Sequence, residues 1–177
     1  HVTKARMGFD QNGKITGFKV DTIANFGAYM SLFSSAVPTY LYATLLSGQY
    51  DIQNIHCNVR GVYTNTVPVD AYRGAGRPEA CYVVERMMEK AAREMGMDPS
   101  ELRRRNFVQS FPHQTPVIMN YDSGDFDGNL DKAMAAADVA GFPARREAAE
   151  RRGKLRGLGY SCYIEACGIA PSAAVGS

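Results

Sequence analysis

Two arginines stand at the mouth of a helical pattern in "VDAYRGAGRPEACYVVERMMEKAA", Val69 to Ala92. Arg73 and Arg77 bracket Gly74, Ala75 and Gly76, and Pro78 follows. Glycines let a backbone approach a ligand closely. A helix N-terminus offers unpaired N–H groups and partial positive charge. Arginine at the same end grips an oxo-anion through paired hydrogen bonds. These residue types in this order suit an anionic cofactor, and they equally suit a plain helix-entry turn with surface arginines. "GAGRPE" lacks the third glycine of a dinucleotide fingerprint, and no Gly-Lys-Ser/Thr follows as in a phosphate loop.

No other constellation competes. Cys57, Cys81, Cys162 and Cys167 form no C-x-x-C pair, so they read as reduced thiols of a cytoplasmic protein and not as a structural zinc site. His56 and His113 have no partner at ligand spacing and read as structural. "YDSGDFD" clusters three acids at 122, 125 and 127 without the spacing or terminal glutamate of a calcium loop. It reads as a turn plus a helix cap, with Asp127 as the cap. Ser161 and Ser172 have no base at a recognisable spacing. No metal ligand and no catalytic residue is expected within the chain.

The elements that must position the loop follow from periodicity. "VTKARMGFD" and "ITGFKVDTIANFGAY" alternate across Asn12-Gly13, a strong hairpin signal. Ile15, Phe18, Val20 and Ile23 are the apolar positions of the second strand. "AVPTYLYATLLSG" predicts a short helix stopped at Gly48. "YDIQNIHCNVRGVYTN" predicts a strand. From Pro78 to about Met95 a helix carries two apolar rows, one through 81, 84, 88, 92 and 95 and one through 80, 83, 87 and 91. Asp98 caps a further short helix. Residues 107–127 form a long connection. Two helices follow, the second charged and ended at Gly153, with Glu147 and Arg151 paired. "GLGYSCYIEACG" predicts a closing strand. Strands and helices mix without regular alternation, so the fold class is α+β.

Composition sets the outer limits. The 177 residues are 45% hydrophobic and 21% charged, as in an ordinary globular protein. A net charge of +2 implies neither nucleic acid nor a membrane surface as partner. No apolar run approaches the ~20 residues of a membrane span. The chain opens at His1 directly in strand-like alternation and ends "GIAPSAAVGS", which reads as a fragment of a longer polypeptide.

The sequence resembles the molybdopterin-binding large subunits of the xanthine dehydrogenase/aldehyde oxidase family, in the branch with aerobic-type carbon monoxide dehydrogenase large subunits. The likeness rests on "AYRGAGRPEA", "GFDQNGKITGFKVDTIANFGAY", "DIQNIHCNVRGVYTNTVPVD", "ERMMEKAAREMGMDPSELRRRNF", "YDSGDFDGNLDKAM" and "KLRGLGYSCYIE", in the family's order over nearly the whole chain. It implies a molybdenum hydroxylase subunit binding molybdenum as molybdopterin cytosine dinucleotide. Its partners would be an FAD-binding medium subunit and a 2Fe-2S small subunit. The family reaction is oxidative hydroxylation of an aldehyde, N-heteroaromatic or similar small substrate.

Carried over by position, Arg73 matches the arginine whose backbone N–H contacts the cofactor, and Gly74, Ala75 and Gly76 match the loop beside the metal. Arg77 is assigned to loop shape or cofactor charge and can point outward, so Gly74 is the more sensitive position. Residues 1–150 correspond to part of the first molybdopterin-binding subdomain and 151–177 to the start of the next. The family's catalytic glutamate lies outside the chain, so the fragment alone is expected to be inactive. Carbon monoxide dehydrogenases carry "AYRCSFR", whose cysteine binds copper; here Gly74 stands in its place. Leu41 stands near the register of the substrate-orienting arginine of purine-oxidising relatives. A non-catalytic relative and a stand-alone anion-binding domain are the alternatives.

Overall fold

The computed structural model describes residues 1–165. Cys167, Ser172 and the far end of the expected closing strand lie outside the described residues. The hairpin forms where Asn12-Gly13 placed it. Asp10 Oδ1 accepts from the Asn12 and Lys14 amides at 2.8 Å each, and Gly13 takes φ 81°, a region open to glycine. The flanking strands β1 (Val2–Phe9) and β2 (Ile15–Gly27) pair antiparallel.

Near the turn the register slips: Gly8 faces Gly17 but Phe9 faces Ile15, leaving Thr16 as an extra residue. Such a bulge reverses the inward phase of a strand. Ile15 and Phe18 are therefore both buried, and Val20, Thr22 and Ala24 continue that face. Ile23, also among the strand's apolar positions, falls on the other face and is 38% exposed.

The third strand, β3 (Ile55–Tyr63), runs parallel to β2, so the sheet order is β1-β2-β3. Parallel pairing demands a crossover. Within the stretch expected as a short helix it contains a π-helical turn at Val37–Leu41 and then a turn-rich stretch ending near Gly48. The crossover delivers Tyr42, Leu45, Leu46, Tyr50 and Ile52 to the core.

Helix α1 (Arg77–Met95) lays Ala80, Val84, Met88, Ala91 and Ala92 on that core. The two predicted rows merge into one stripe, with Cys81, Val83 and Met87 half-buried at its margins and Met95 exposed. Helix α2 (Pro99–Asn106) is capped by Asp98, whose carboxylate accepts from the Ser100 and Glu101 amides. Its last residue, Asn106, is buried; it donates to the Gly13 carbonyl and accepts from the Ile15 amide, tying α2 to the hairpin. A small hairpin, β4 (His113–Gln114) and β5 (Asn120–Tyr121), stiffens the long connection.

Helix α3 (Phe126–Ala136) is capped by Asp125, not by the expected Asp127. Asp127 instead pairs with Arg104 at 3.2 Å and accepts from Gln109. Helix α4 (Phe142–Glu150) carries the expected Glu147–Arg151 pair at 2.7 Å.

After α4 the chain makes no strand among the described residues. Its backbone groups find side-chain partners in place of a ladder. Cys162 N–H donates to Glu85 Oε2, the Tyr160 carbonyl accepts from Arg103 and the Tyr163 carbonyl accepts from Gln49. Mixed strands and helices without regular alternation make the fold α+β, as read from the sequence.

Candidate functional site

Arg73, Gly74, Ala75 and Gly76 form one tight turn at the entrance of α1. The Ala75 amide donates to the Tyr72 carbonyl at 2.8 Å and the Arg77 amide to the Gly74 carbonyl at 2.9 Å. Three successive residues have positive φ: Gly74 at 91°, Ala75 at 26° and Gly76 at 87°. For Ala75 this is a costly conformation that persists only when its surroundings hold it.

Gly76 provides the seat. A Cβ there would lie 2.8 Å from the Tyr42 amide nitrogen and 3.0 Å from the Leu41 carbonyl carbon, and closer still to the Val37 oxygen. All three are backbone atoms of the π-helical turn or its end, so the loop can dock only through a glycine. Gly74 is less confined: its Cβ would meet the Pro78 ring at 2.8 Å. Leu41, distant in sequence, is thus brought against the arginine loop.

The root of the loop is fixed to β2. The Thr64 amide donates to the Gly27 carbonyl, Ala28 to Thr66 and Val69 to Phe26. Asn25 Oδ1 accepts from the Thr64 hydroxyl at 2.6 Å and the Gly27 amide at 2.7 Å. Around this rigid base, large apolar side chains stand open. Tyr29, Leu32, Val67 and Tyr72 are each more than 70% exposed.

The two arginines differ. Arg73 is exposed. Arg77 turns inward, contrary to the expectation that it points outward. Its side chain is only 17% exposed, its Nη1 donates to the Gly74 carbonyl at 3.2 Å and its Nε meets Glu165 Oε1 at 2.8 Å. In the first turn of α1, Glu79 already complements the helix N-terminus. Glu79 also lines a cleft of about 550 Å³ with Pro38, Tyr42, Pro78 and Tyr82. Of the groups that suggested an anion cradle, Arg77 is matched by Glu165 and the helix end by Glu79, while Arg73 stays exposed.

A second polar centre lies behind the loop, and sequence reasoning missed it. Glu85, 6% exposed, and Arg103, fully buried, pair at 3.0 Å. Glu85 also accepts from the Tyr50 hydroxyl and the Cys162 amide, and Arg103 donates to the Pro99 and Tyr160 carbonyls. Burial works against the Arg103 charge, yet Glu85 beside it holds the guanidinium pKa above its ordinary value. Burial first, and Glu85 second, push the Tyr50 hydroxyl well up and the Cys162 thiol to about 11. The available signal was Glu85 within the apolar stripe of α1. Nothing in "RRR" at 103–105 singles out Arg103.

Among the described residues no group of three or more His, Cys, Asp or Glu side chains could hold a metal. Cys57, Cys81 and Cys162 are free thiols. His56 is exposed on β3, while His113 makes a tilted ring contact with Tyr121, centroids 6.2 Å apart. Ser161 Oγ lies 3.4 Å from Cys81 Sγ. No helix among the described residues is long and apolar enough to cross a membrane.

Residues 1–107, from β1 through α2, match the family described as the molybdopterin cofactor-binding domain. The chain belongs to that family. This molybdopterin cofactor-binding domain is 40% identical, over 91% of its length, to the carbon monoxide dehydrogenase large chain of Hydrogenophaga pseudoflava, of which it covers 21%. It is 34% identical, over 88% of its length, to the nicotine 6-hydroxylase large subunit of Paenarthrobacter nicotinovorans, covering 19% of that chain. In three dimensions it matches quinoline 2-oxidoreductase from Pseudomonas putida 86 with a TM-score of 0.79 at 26% identity, over 85% of its length and 20% of that chain. The chain thus spans about a fifth of the length of these relatives.

Proposed function

We propose that this chain is part of a molybdenum hydroxylase large subunit, and that the turn Arg73–Gly76 forms one wall of the pocket for its molybdenum–molybdopterin cytosine dinucleotide. The observation that carries the reading is the turn itself. Three consecutive positive φ angles, with side chains no larger than a methyl, present bare backbone at the entrance of α1. That surface fits a cofactor that must approach within hydrogen-bonding distance of main-chain N–H groups.

When bound, the cofactor supplies the redox chemistry of oxidative hydroxylation. The chain's own residues bind and orient. The Arg73 amide would donate to the cofactor, the Arg73 side chain would supply positive charge, and Gly74 and Ala75 would leave room for close approach. Leu41, brought against the turn by the crossover, would stand near the substrate. The base that deprotonates the nucleophile comes from the remainder of the subunit. Residues 1–150 belong to the first subdomain and 151–177 begin the next. The subunit's partners would be a 2Fe-2S small subunit and an FAD-binding medium subunit, in the cytoplasm.

The substrate is a small molecule with an electron-poor carbon, such as an aldehyde or an N-heteroaromatic. The names of the nicotine and quinoline enzymes agree with the latter. Carbon monoxide is disfavoured although relatives of this chain are named for it. Copper(I) needs a soft sulfur ligand. Gly74 offers none, and the Cys81 thiol, further along α1, lies against Ser161.

The test is dye reduction by the intact complex with carbon monoxide, aldehydes and N-heterocycles, alongside molybdenum and copper analysis. Stoichiometric molybdenum with turnover of a heterocycle or aldehyde is expected. Carbon monoxide-dependent reduction with stoichiometric copper overturns the substrate assignment, and absence of molybdenum overturns the whole reading.

A further inference from the structure

We propose that Arg77 is the positioning residue of the Arg73–Gly76 turn, and that Glu165 braces it from the segment after α4. This rests on the reading that the turn faces the cofactor. The Gly74 carbonyl accepts twice from the same residue, from the Arg77 amide at 2.9 Å and from its Nη1 at 3.2 Å. The opposite side of the guanidinium is held by Glu165 at 2.8 Å. A planar guanidinium can make both contacts at once because its donors point in fixed, divergent directions. Arg77 therefore joins the strained turn to a segment far along the chain.

The brace is itself anchored. The backbone leading to Glu165 is tied at Tyr160 and Cys162 to the buried Arg103–Glu85 pair, and at Tyr163 to Gln49. Tyr160, Cys162 and Ile164 pack against the core. Glu165 thus approaches Arg77 from a support fixed on α1 and α2. A turn with Ala75 in the left-handed region needs such support, since the conformation is not self-sustaining. The Gly76 seat fixes one end of the turn and Arg77 fixes the Gly74 carbonyl at the other. The segment 158–165 is consequently part of the wall that shapes the turn.

The experiment is amide hydrogen exchange on the full-length subunit, comparing Arg77→Gln, Arg77→Lys and Glu165→Gln with the parent. Peptides covering 72–80 report the turn and peptides covering 99–106 serve as an internal reference for global loosening. Exchange of the turn amides is expected to rise about tenfold in Arg77→Gln and Glu165→Gln, the loss of one charge-assisted bond, with α2 unchanged. Arg77→Lys should not restore protection, because an ammonium cannot span both acceptors. Molybdenum content and KM are measured on the same samples.

Unchanged turn exchange in both Gln variants overturns the proposal. Equal loosening of turn and reference overturns it too, and faster exchange in Arg77→Gln alone removes Glu165 from it. Faster turn exchange with molybdenum content, KM and turnover all intact upholds the brace but refutes the placement of the cofactor at this turn.

Discussion

Gly76→Ala is the sharpest probe of how the loop is seated. Position 76 has φ 87°, and its added methyl would press on the Tyr42 amide at 2.8 Å and the Leu41 carbonyl carbon at 3.0 Å, as well as the Val37 oxygen. Gly96, which ends α1, has φ 64° but nothing within 4 Å of the same atom. The two substitutions share the left-handed penalty of about 1–2 kcal/mol, less the ~0.4–1 kcal/mol by which alanine stiffens the unfolded chain. Only Gly76→Ala adds overpacking against backbone, about 1–3 kcal/mol. Backbone cannot swing aside, so the upper half of that range applies. The difference between the variants should lower the melting temperature by roughly 4–12 °C in a chain of this size. Thermal and urea unfolding of the two variants, side by side, gives the number. Equal destabilisation would refute the contact, and with it the claim that the loop docks on the π-helical turn. Gly74→Ala should fall between them, since its obstacle is the Pro78 ring, which can repucker.

Two further outcomes follow from the buried centre. Glu85→Ala leaves Arg103 charged and fully buried, and should cost about 3–5 kcal/mol. Glu147→Ala, at an exposed pair, should cost no more than about 0.5 kcal/mol; similar losses in urea titrations would show that the buried pair is not intact. The second concerns Cys162, whose thiol is pushed up to about 11. Raising the folded pKa keeps the thiol protonated until strongly alkaline pH, so at pH 8 the thiolate fraction is roughly 200-fold below that of an ordinary cysteine. The higher nucleophilicity of a more basic thiolate returns about tenfold of this. Ellman's reagent should therefore react about 20-fold more slowly with Cys162 in the folded chain than in urea, with the rate still climbing above pH 9. A rate that levels off near pH 9 would contradict the assignment.

Much of the fold was legible because its signals are local. The Asn12-Gly13 turn, the Asp98 cap, the stripe of α1 and the Glu147–Arg151 pair each depend on residues within a few positions of one another. What was not legible has a different cause. Ile23 faces outward because one extra residue, Thr16, shifts the phase of β2, and no alternation count contains that residue's pairing. Asp127 yields the cap to Asp125 because Arg104, from another helix, takes its carboxylate. The apolar alternation in "GYSCYIE" suggested a strand, but Glu85, Arg103 and Gln49 satisfy its backbone instead. In each case a partner remote in sequence outcompetes the local preference.

The arginine loop combines both kinds of information, which is why its motif was readable and its shape was not. Small residues before a helix announce that backbone is to be exposed, and that signal lies within "RGAGRP". Whether Arg77 points outward or serves the loop depends on the Gly74 carbonyl and on Glu165, and Glu165 is remote from Arg77 in sequence. The structure separates the two arginines by what each touches. Arg77 has its guanidinium turned inward on a carbonyl and a carboxylate, while Arg73 stays at the exposed face. Outward freedom had been the reason to rank Arg77 below Gly74 in sensitivity, and that reason is gone. On the proposed bracing, a substitution at Arg77 acts on the conformation of the same backbone that a side chain at Gly74 would crowd, so the two positions report on one property, the shape of the bare main chain at the entrance of α1.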